Sequence, residues 1–156
     1  MIETFVSRPN RLQPVIERRL QQLYQLMEEL GLHVNTLGQT HAPIRNPFDE
    51  MLSLMRTCRC TVVLGLPHLA IESSNAESGK PIENMNLATE WNQIEAAVSL
   101  TLGLPTLILL HYNVADRGIF QAGSTNAFVH RVDLFTPHWS QSVRLALEAL
   151  HAEVTL

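Results

Sequence analysis

Two hydrophobic periods alternate along this chain. Short apolar runs suited to buried strands are followed by longer stretches in which apolar residues recur every three or four positions, the spacing of a helix face. Ile2 to Val6 is the first short run, broken by Ser7-Arg8-Pro9-Asn10, where proline fixes φ and turns the residue before it away from the helical region. From Leu12 to Leu30 one helical face carries Leu12, Val15, Ile16, Leu20, Leu23, Leu26 and Met27, while Glu17, Arg18, Gln21, Gln25 and Glu28 occupy the other. Gly31 stands where a C-cap glycine belongs. Leu32 to Leu37 predicts a second strand, closed by Gly38. Asn46-Pro47 opens a second helix, with Asn as N-cap, Pro in the first turn, and Asp49 and Glu50 complementing the dipole. Cys60 to Leu66 is continuously apolar and Val-rich, the pattern of a strand covered on both faces.

His68 to Ala88 is polar and reads as a long irregular loop, a length that in compact domains usually marks a lid or binding loop. As a lid it is expected to be mobile without ligand. Thr89 caps a third helix running to Leu102, and Gly103-Leu104-Pro105 turns the chain into a fourth strand at Thr106 to Leu110. After an irregular stretch, Phe128 to Phe135 alternates as a fifth strand, and Thr136-Pro137 starts a last helix holding Val143, Leu147 and Leu150. This order predicts a single α/β domain over residues 1–156: a doubly wound, parallel, five-stranded sheet of flavodoxin-like order 2-1-3-4-5, with helices on both faces. In such sheets ligands bind beyond the carboxyl ends of the strands at the switch point, here between strands one and three. That rule selects Ser7–Asn10, Leu66–Ala88, the start of the third helix, and His111–Phe120.

Composition narrows the partners. The 156 residues are 46% hydrophobic and 17% charged, which is core-forming, and the net charge of −4 opposes a broad nucleic-acid surface. No apolar run reaches membrane-spanning length, and Met1 to Val6 enters a strand pattern without a leader, so the expected location is cytoplasmic with no membrane partner. Cys58 and Cys60 lack a second Cys/His pair at zinc spacing, so buried reduced thiols are expected and no metal site.

Several nucleotide-binding patterns are missing. No G-x-G-x-x-G follows the first strand, and Gly79-Lys80-Pro81 lacks the flanks of a phosphate loop. A phosphoacceptor's acidic residues are absent after strands one and three, where Ser7-Arg8 and Leu66-Pro67 stand, and Pro9 removes an amide that a flavin phosphate loop would use. What remains is Thr89-Glu90-Trp91-Asn92-Gln93-Ile94-Glu95. Trp91 and Glu95 share one helix face near the N-terminus. A carboxylate among Ile94, Ala96, Ala97 and Val98 has its pKa raised by desolvation if that face meets the cleft. The alternative is a solvated glutamate on an amphipathic helix.

These segments resemble the nucleoside 2-deoxyribosyltransferase-like and Toll/interleukin-1-receptor (TIR)-like group of flavodoxin-like domains. Phe5-Val6-Ser7-Arg8-Pro9, Trp91-Asn92-Gln93-Ile94-Glu95-Ala96 and Gly103-Leu104-Pro105-Thr106-Leu107-Ile108 carry the likeness. In the transferases the matching Glu attacks an anomeric carbon; in TIR enzymes a W-x-x-x-E glutamate contacts the ribose of NAD as nicotinamide leaves. Leu87-Ala88-Thr89 stands where the transferases carry Asp-Gly-Thr, and the TIR box-two loop is not matched. The resemblance implies cleavage of the N-glycosidic bond of NAD or a related nucleotide, with Glu95 catalytic, a function used in defence signalling. The nucleotide would be substrate, with no further cofactor, and TIR-like domains act through homo-oligomers. Ser7, Arg8, Trp91, Asn92, His111 and Arg117 are the expected substrate-binding residues. A deoxyribosyltransferase or nucleoside hydrolase, a non-catalytic nucleotide sensor and a self-associating interaction module are the alternatives.

Overall fold

The computed structural model describes residues 1–75, 79 and 81–156. Five parallel strands form the central sheet: β1 (Ile2–Ser7), β2 (Leu32–Asn35), β3 (Cys60–Gly65), β6 (Thr106–His111) and β7 (Phe128–Val132), in the order β2-β1-β3-β6-β7. With the strands of this sheet counted in chain order, that is the expected 2-1-3-4-5. All six residues of β3 are buried, as expected of a strand covered on both faces, and the hydroxyl of its polar member Thr61 accepts from Ser99 Oγ (2.7 Å). Leu107 and Leu109 of β6 pack on one face with Leu20, Leu23 and Met27 of α1 (Pro14–Glu29) and Leu147 of α4 (Arg144–Thr155). Ile108 and Leu110 point to the other face, against Ala96 of α3 (Glu90–Thr101). Phe5 of β1 packs there with Met51 and Met55 of α2 (Pro47–Thr57). This alternation across β6 places helices on both faces of the sheet.

The helix starts follow their cap chemistry. The Asn46 side chain accepts from Phe48 N, and Thr89 Oγ1 accepts from Asn92 N, so each occupies an otherwise orphaned amide of its helix. β2 stops at Asn35, two residues before the expected Leu37, and two further ends depart from the sequence reading. The fifth strand stops at Val132 instead of Phe135, because Asp133 starts a turn in which its carboxylate accepts from Phe135 N and its carbonyl from Thr136. The last helix starts at Arg144 after a 3₁₀ turn over Trp139–Val143, since His138 takes a left-handed conformation (φ 55°) that no α-helix continues through.

The larger correction concerns residues 68–88. Their described residues are mostly strand, not an irregular loop. β4 (Leu69–Asn75) and β5 (Pro81–Leu87) pair antiparallel, with Leu69 opposite Leu87 and Ile71 opposite Met85. These cross-strand apolar pairs are the stabilising units of a hairpin. Residues 76–78 and 80 of the expected lid lie outside the described residues. At its base the hairpin is tied to the body: His68 N donates to Leu87 O (2.9 Å), Ala115 N to Asn86 O (2.8 Å), and Asn86 Nδ2 to Asn113 O (3.2 Å).

Among the described residues no helix is long and apolar enough to cross a membrane. Cys58 and Cys60 are free, buried thiols. Burial pushes Cys58 up to about 11 and raises Cys60 as well.

Candidate active site

A cleft of about 500 Å³ opens beyond the carboxyl ends of β1 and β3, where the strand order reverses. Its walls come from the segments that follow the strands: Arg8 to Arg11 after β1, Thr36, Leu37 and Pro43 after β2, and His68 after β3. Pro47 at the start of α2 and Thr89, Glu90, Trp91 and Glu95 of the third helix complete it. One wall is held by a close approach that only glycine permits. Gly38 has φ +83°, and a Cβ there would stand 2.7 Å from the Asn10 side chain, while Gln39 Nε2 donates to Asn10 O at 3.0 Å.

Glu95 is the buried carboxylate of this cleft, 8% exposed on the inward face of α3. Ser7 Oγ donates to its Oε2. Asn92 Nδ2 in turn donates to Ser7 Oγ (2.8 Å), and Thr89 Oγ1 donates to Asn92 Oδ1 (2.8 Å). Desolvation raises the pKa of Glu95 to about 7, and the Ser7 hydrogen bond pulls against that rise. A carboxyl group that exchanges its proton near neutrality at the bottom of a cleft is suited to acid–base or nucleophilic work.

The other expected residues divide. Ser7 and Asn92 do join Glu95; both are buried, hold the carboxylate by hydrogen bonds and do not line the cleft. Trp91 is 45% exposed on the rim, one turn before Glu95, with its ring available to a planar base. Arg8 lines the cleft, yet its guanidinium is committed: Nε donates to Pro9 O at 3.0 Å, Nη1 to Tyr24 Oη at 3.2 Å, and both terminal nitrogens to the Glu17 carboxylate. Burial works against that charge, but Glu17 and Tyr24 outweigh it and the guanidinium pKa lies above its ordinary value. Arg8 therefore anchors the β1–α1 turn against α1. His111 and Arg117 do not line the cleft. Arg117 is exposed; its carbonyl accepts from Gln93 Nε2 (3.0 Å), while Ile119 N donates to Gln93 Oε1 (2.8 Å), so Gln93 pins this loop to the outer side of α3.

Sequence reading passed over three parts of the site. His68 and Arg11 line the cleft and were not singled out. Thr89 was read as a cap alone, although the T-x-x-N spacing signals that its hydroxyl and the Asn92 amide are one turn apart. Among the described residues no group of three or more His, Cys, Asp or Glu side chains is placed to hold a metal ion.

No protein-family model and no curated sequence matches the chain significantly. Solved structures do. A 3-dehydroquinate dehydratase-like protein from Bifidobacterium longum aligns at a TM-score of 0.43 and 14% identity, over 99% of this chain and 98% of that one, too loosely to carry an argument. A CMP N-glycosidase from Clostridium botulinum superposes with a TM-score of 0.57 at 12% identity, over 94% of this chain and 98% of that chain. The likeness is one of fold, held in common with a nucleotide glycosidase over nearly the whole chain, and it does not single out a TIR domain.

Proposed function

We propose that this protein cleaves the N-glycosidic bond of a nucleotide, with Glu95 as the group that meets the anomeric carbon. The single observation that carries the reading is Glu95 itself, a buried carboxylate with its pKa near 7, bonded through Ser7 at the switch-point cleft. The glycosidase neighbour of like fold supports the same reading. As the C1′–N bond breaks, its electron pair leaves with the base and positive charge builds on the sugar. A carboxylate within contact stabilises that oxocarbenium character or traps it as a glycosyl ester. Water then adds its oxygen to C1′, displacing the Glu95 carboxylate where an ester has formed. The proton it sheds balances the one taken up by a neutral base, or passes to solvent where the base leaves uncharged.

In this reading Trp91, on the cleft rim, stacks on the base, and His68, on the cleft wall, carries the proton that a neutral base needs. Nicotinamide needs no such proton, so NAD remains within the proposed substrate class. The test is incubation of the protein with CMP, other nucleoside monophosphates, NAD and nucleosides, followed by detection of free base. Base released from one class and abolished in Glu95→Gln supports the reading. Tight binding without release from any of them replaces it with a nucleotide sensor.

A further inference from the structure

We infer that the helix cap Thr89 is a positioning residue for the reaction: through Asn92 and Ser7 it sets the direction of a one-way chain of donors ending on Glu95 Oε2, which leaves Oε1 as the oxygen that meets substrate. The inference rests on the glycosidase reading for its function but on hydrogen-bond geometry for its form.

Thr89 Oγ1 accepts from the Asn92 backbone N–H at 3.1 Å, so its own proton goes elsewhere, and Asn92 Oδ1 lies 2.8 Å away to take it. With Oδ1 engaged there, the amide must present its NH₂ to Ser7, which it does at 2.8 Å. An NH₂ group accepts nothing, so the Ser7 proton has Glu95 Oε2 as its acceptor. Each step removes one choice from the next. Were Glu95 protonated on Oε2, that proton and the Ser7 proton would compete for the same gap. The chain thus favours the anion, in opposition to the burial that raises its pKa. Among the described residues Glu95 Oε1 has no hydrogen-bond partner, yet it is not a sealed, unsatisfied atom, so it is the oxygen open to the cleft.

The other charged or titratable groups lining the cleft around Glu95 are Arg8 and Arg11 after β1, His68 after β3 and Glu90 on α3; the lining residues after β2 and at the start of α2 carry no charge. Arg8 is neutralised by Glu17. None of these changes when Thr89 is substituted, so their fields cancel in a comparison of variants.

Capping and proton direction separate cleanly at this position. Glycine caps a helix about as well as threonine but has no hydroxyl, whereas serine keeps both functions. The experiment follows Glu95 by carboxyl-selective NMR titration and by the acid limb of the pH–rate profile in wild type, Thr89→Gly, Thr89→Ser and Ser7→Ala. In Thr89→Gly the Asn92 amide is free to turn its oxygen to Ser7 and draw the serine proton away. Glu95 should then titrate about one pH unit higher, with Thr89→Ser at the wild-type value and Ser7→Ala, which removes the last donor, setting the ceiling. An unmoved titration in Thr89→Gly overturns the inference, and so does an equal shift in Thr89→Ser. If wild type releases base from no nucleotide, the glycosidase reading falls, while the NMR titration still decides whether the chain exists.

Discussion

Two buried polar clusters lie at the same carboxyl edge of the sheet, and they differ in how far a ligand can reach them. At one, Glu95, Ser7, Asn92 and Thr89 form a chain in which each donor meets the next acceptor and one carboxylate oxygen is left open to the cleft. At the other, His111 is 1% exposed at the end of β6, its Nδ1 bonded to Asn113 Oδ1 at 2.7 Å. Among the described residues its buried Nε2 has no hydrogen-bond partner, with Asp133 Oδ1 at 3.8 Å. The Tyr112 and Phe135 rings close over it, their centroids 4.8 and 6.0 Å from the imidazole. Both clusters bury a group of catalytic type. Only the first combines burial with access, and access is what converts an unusual environment into chemistry.

The largest effect that tests this contrast is on turnover. Glu95→Gln is nearly isosteric and keeps an oxygen for the Ser7 proton, so the fold should survive while the charge is lost. Base release is expected to fall by two to three powers of ten, about 3–4 kcal/mol of lost electrostatic stabilisation, and further if the step is covalent. Equal rates at matched folded concentration would erase the distinction between the two clusters.

The same substitution should stabilise the protein. The carboxyl of Glu95 goes from 4.5 in a model peptide to about 7 when folded, so the native state holds a proton that the unfolded chain has released between those values. Stability contributed by the protonated form is therefore present below pH 4.5 and is lost as pH rises to 7. Above pH 7 the wild type carries a deficit of about 3 kcal/mol that Gln does not. Denaturant melts at pH 4.5 and pH 8 should show the gap between variant and wild type opening with pH; a gap that stays constant would mean that burial does not set the Glu95 pKa.

How much of this could be read beforehand depended on whether the signal was local. The sheet was legible because parallel strands buried on both faces leave largely apolar runs such as Cys60–Leu66, interrupted only by Thr61. The hairpin was hidden because its apolar stripe, Leu69 and Ile71 against Met85 and Leu87, is only two pairs long and is continued by the polar pair Ser73 and Glu83. Glu95 was legible because helix spacing and the switch-point rule converge on it. The contacts of Ser7, Asn92 and Arg8 were not, since each depends on where a side chain points across a tertiary contact: Ser7 toward α3, Arg8 toward Glu17 on α1. His111 and Arg117 were selected for following a strand, and loop position alone does not fix direction.

A smaller effect is expected at the rim. Trp91→Ala removes an exposed ring without touching the chain behind Glu95, so substrate KM should rise about tenfold, the loss of one stacking contact of about 1.4 kcal/mol, with kcat within a factor of two or so. A fall in kcat with KM unchanged would mean that Trp91 acts on the transition state and belongs with the carboxylate.

The smallest effect is predicted for His111. If the second cluster is structural, His111→Gln should leave kcat, KM and the pH–rate profile within about twofold of wild type, because the side chain neither lines the cleft nor bonds to any group of the Glu95 chain. Its consequence should appear in stability alone. Gln can replace the hydrogen bond to Asn113 and removes the ring that Tyr112 and Phe135 enclose, so the loss is that of aromatic packing, about 1 kcal/mol. The unpartnered Nε2 disappears with the ring, which offsets part of that loss. Kinetics and thermal melts on one preparation distinguish the outcomes. A drop in kcat beyond tenfold with an unchanged melt would place His111 in the reaction, and the contrast between an open and a closed cluster would no longer explain which of the two is reactive.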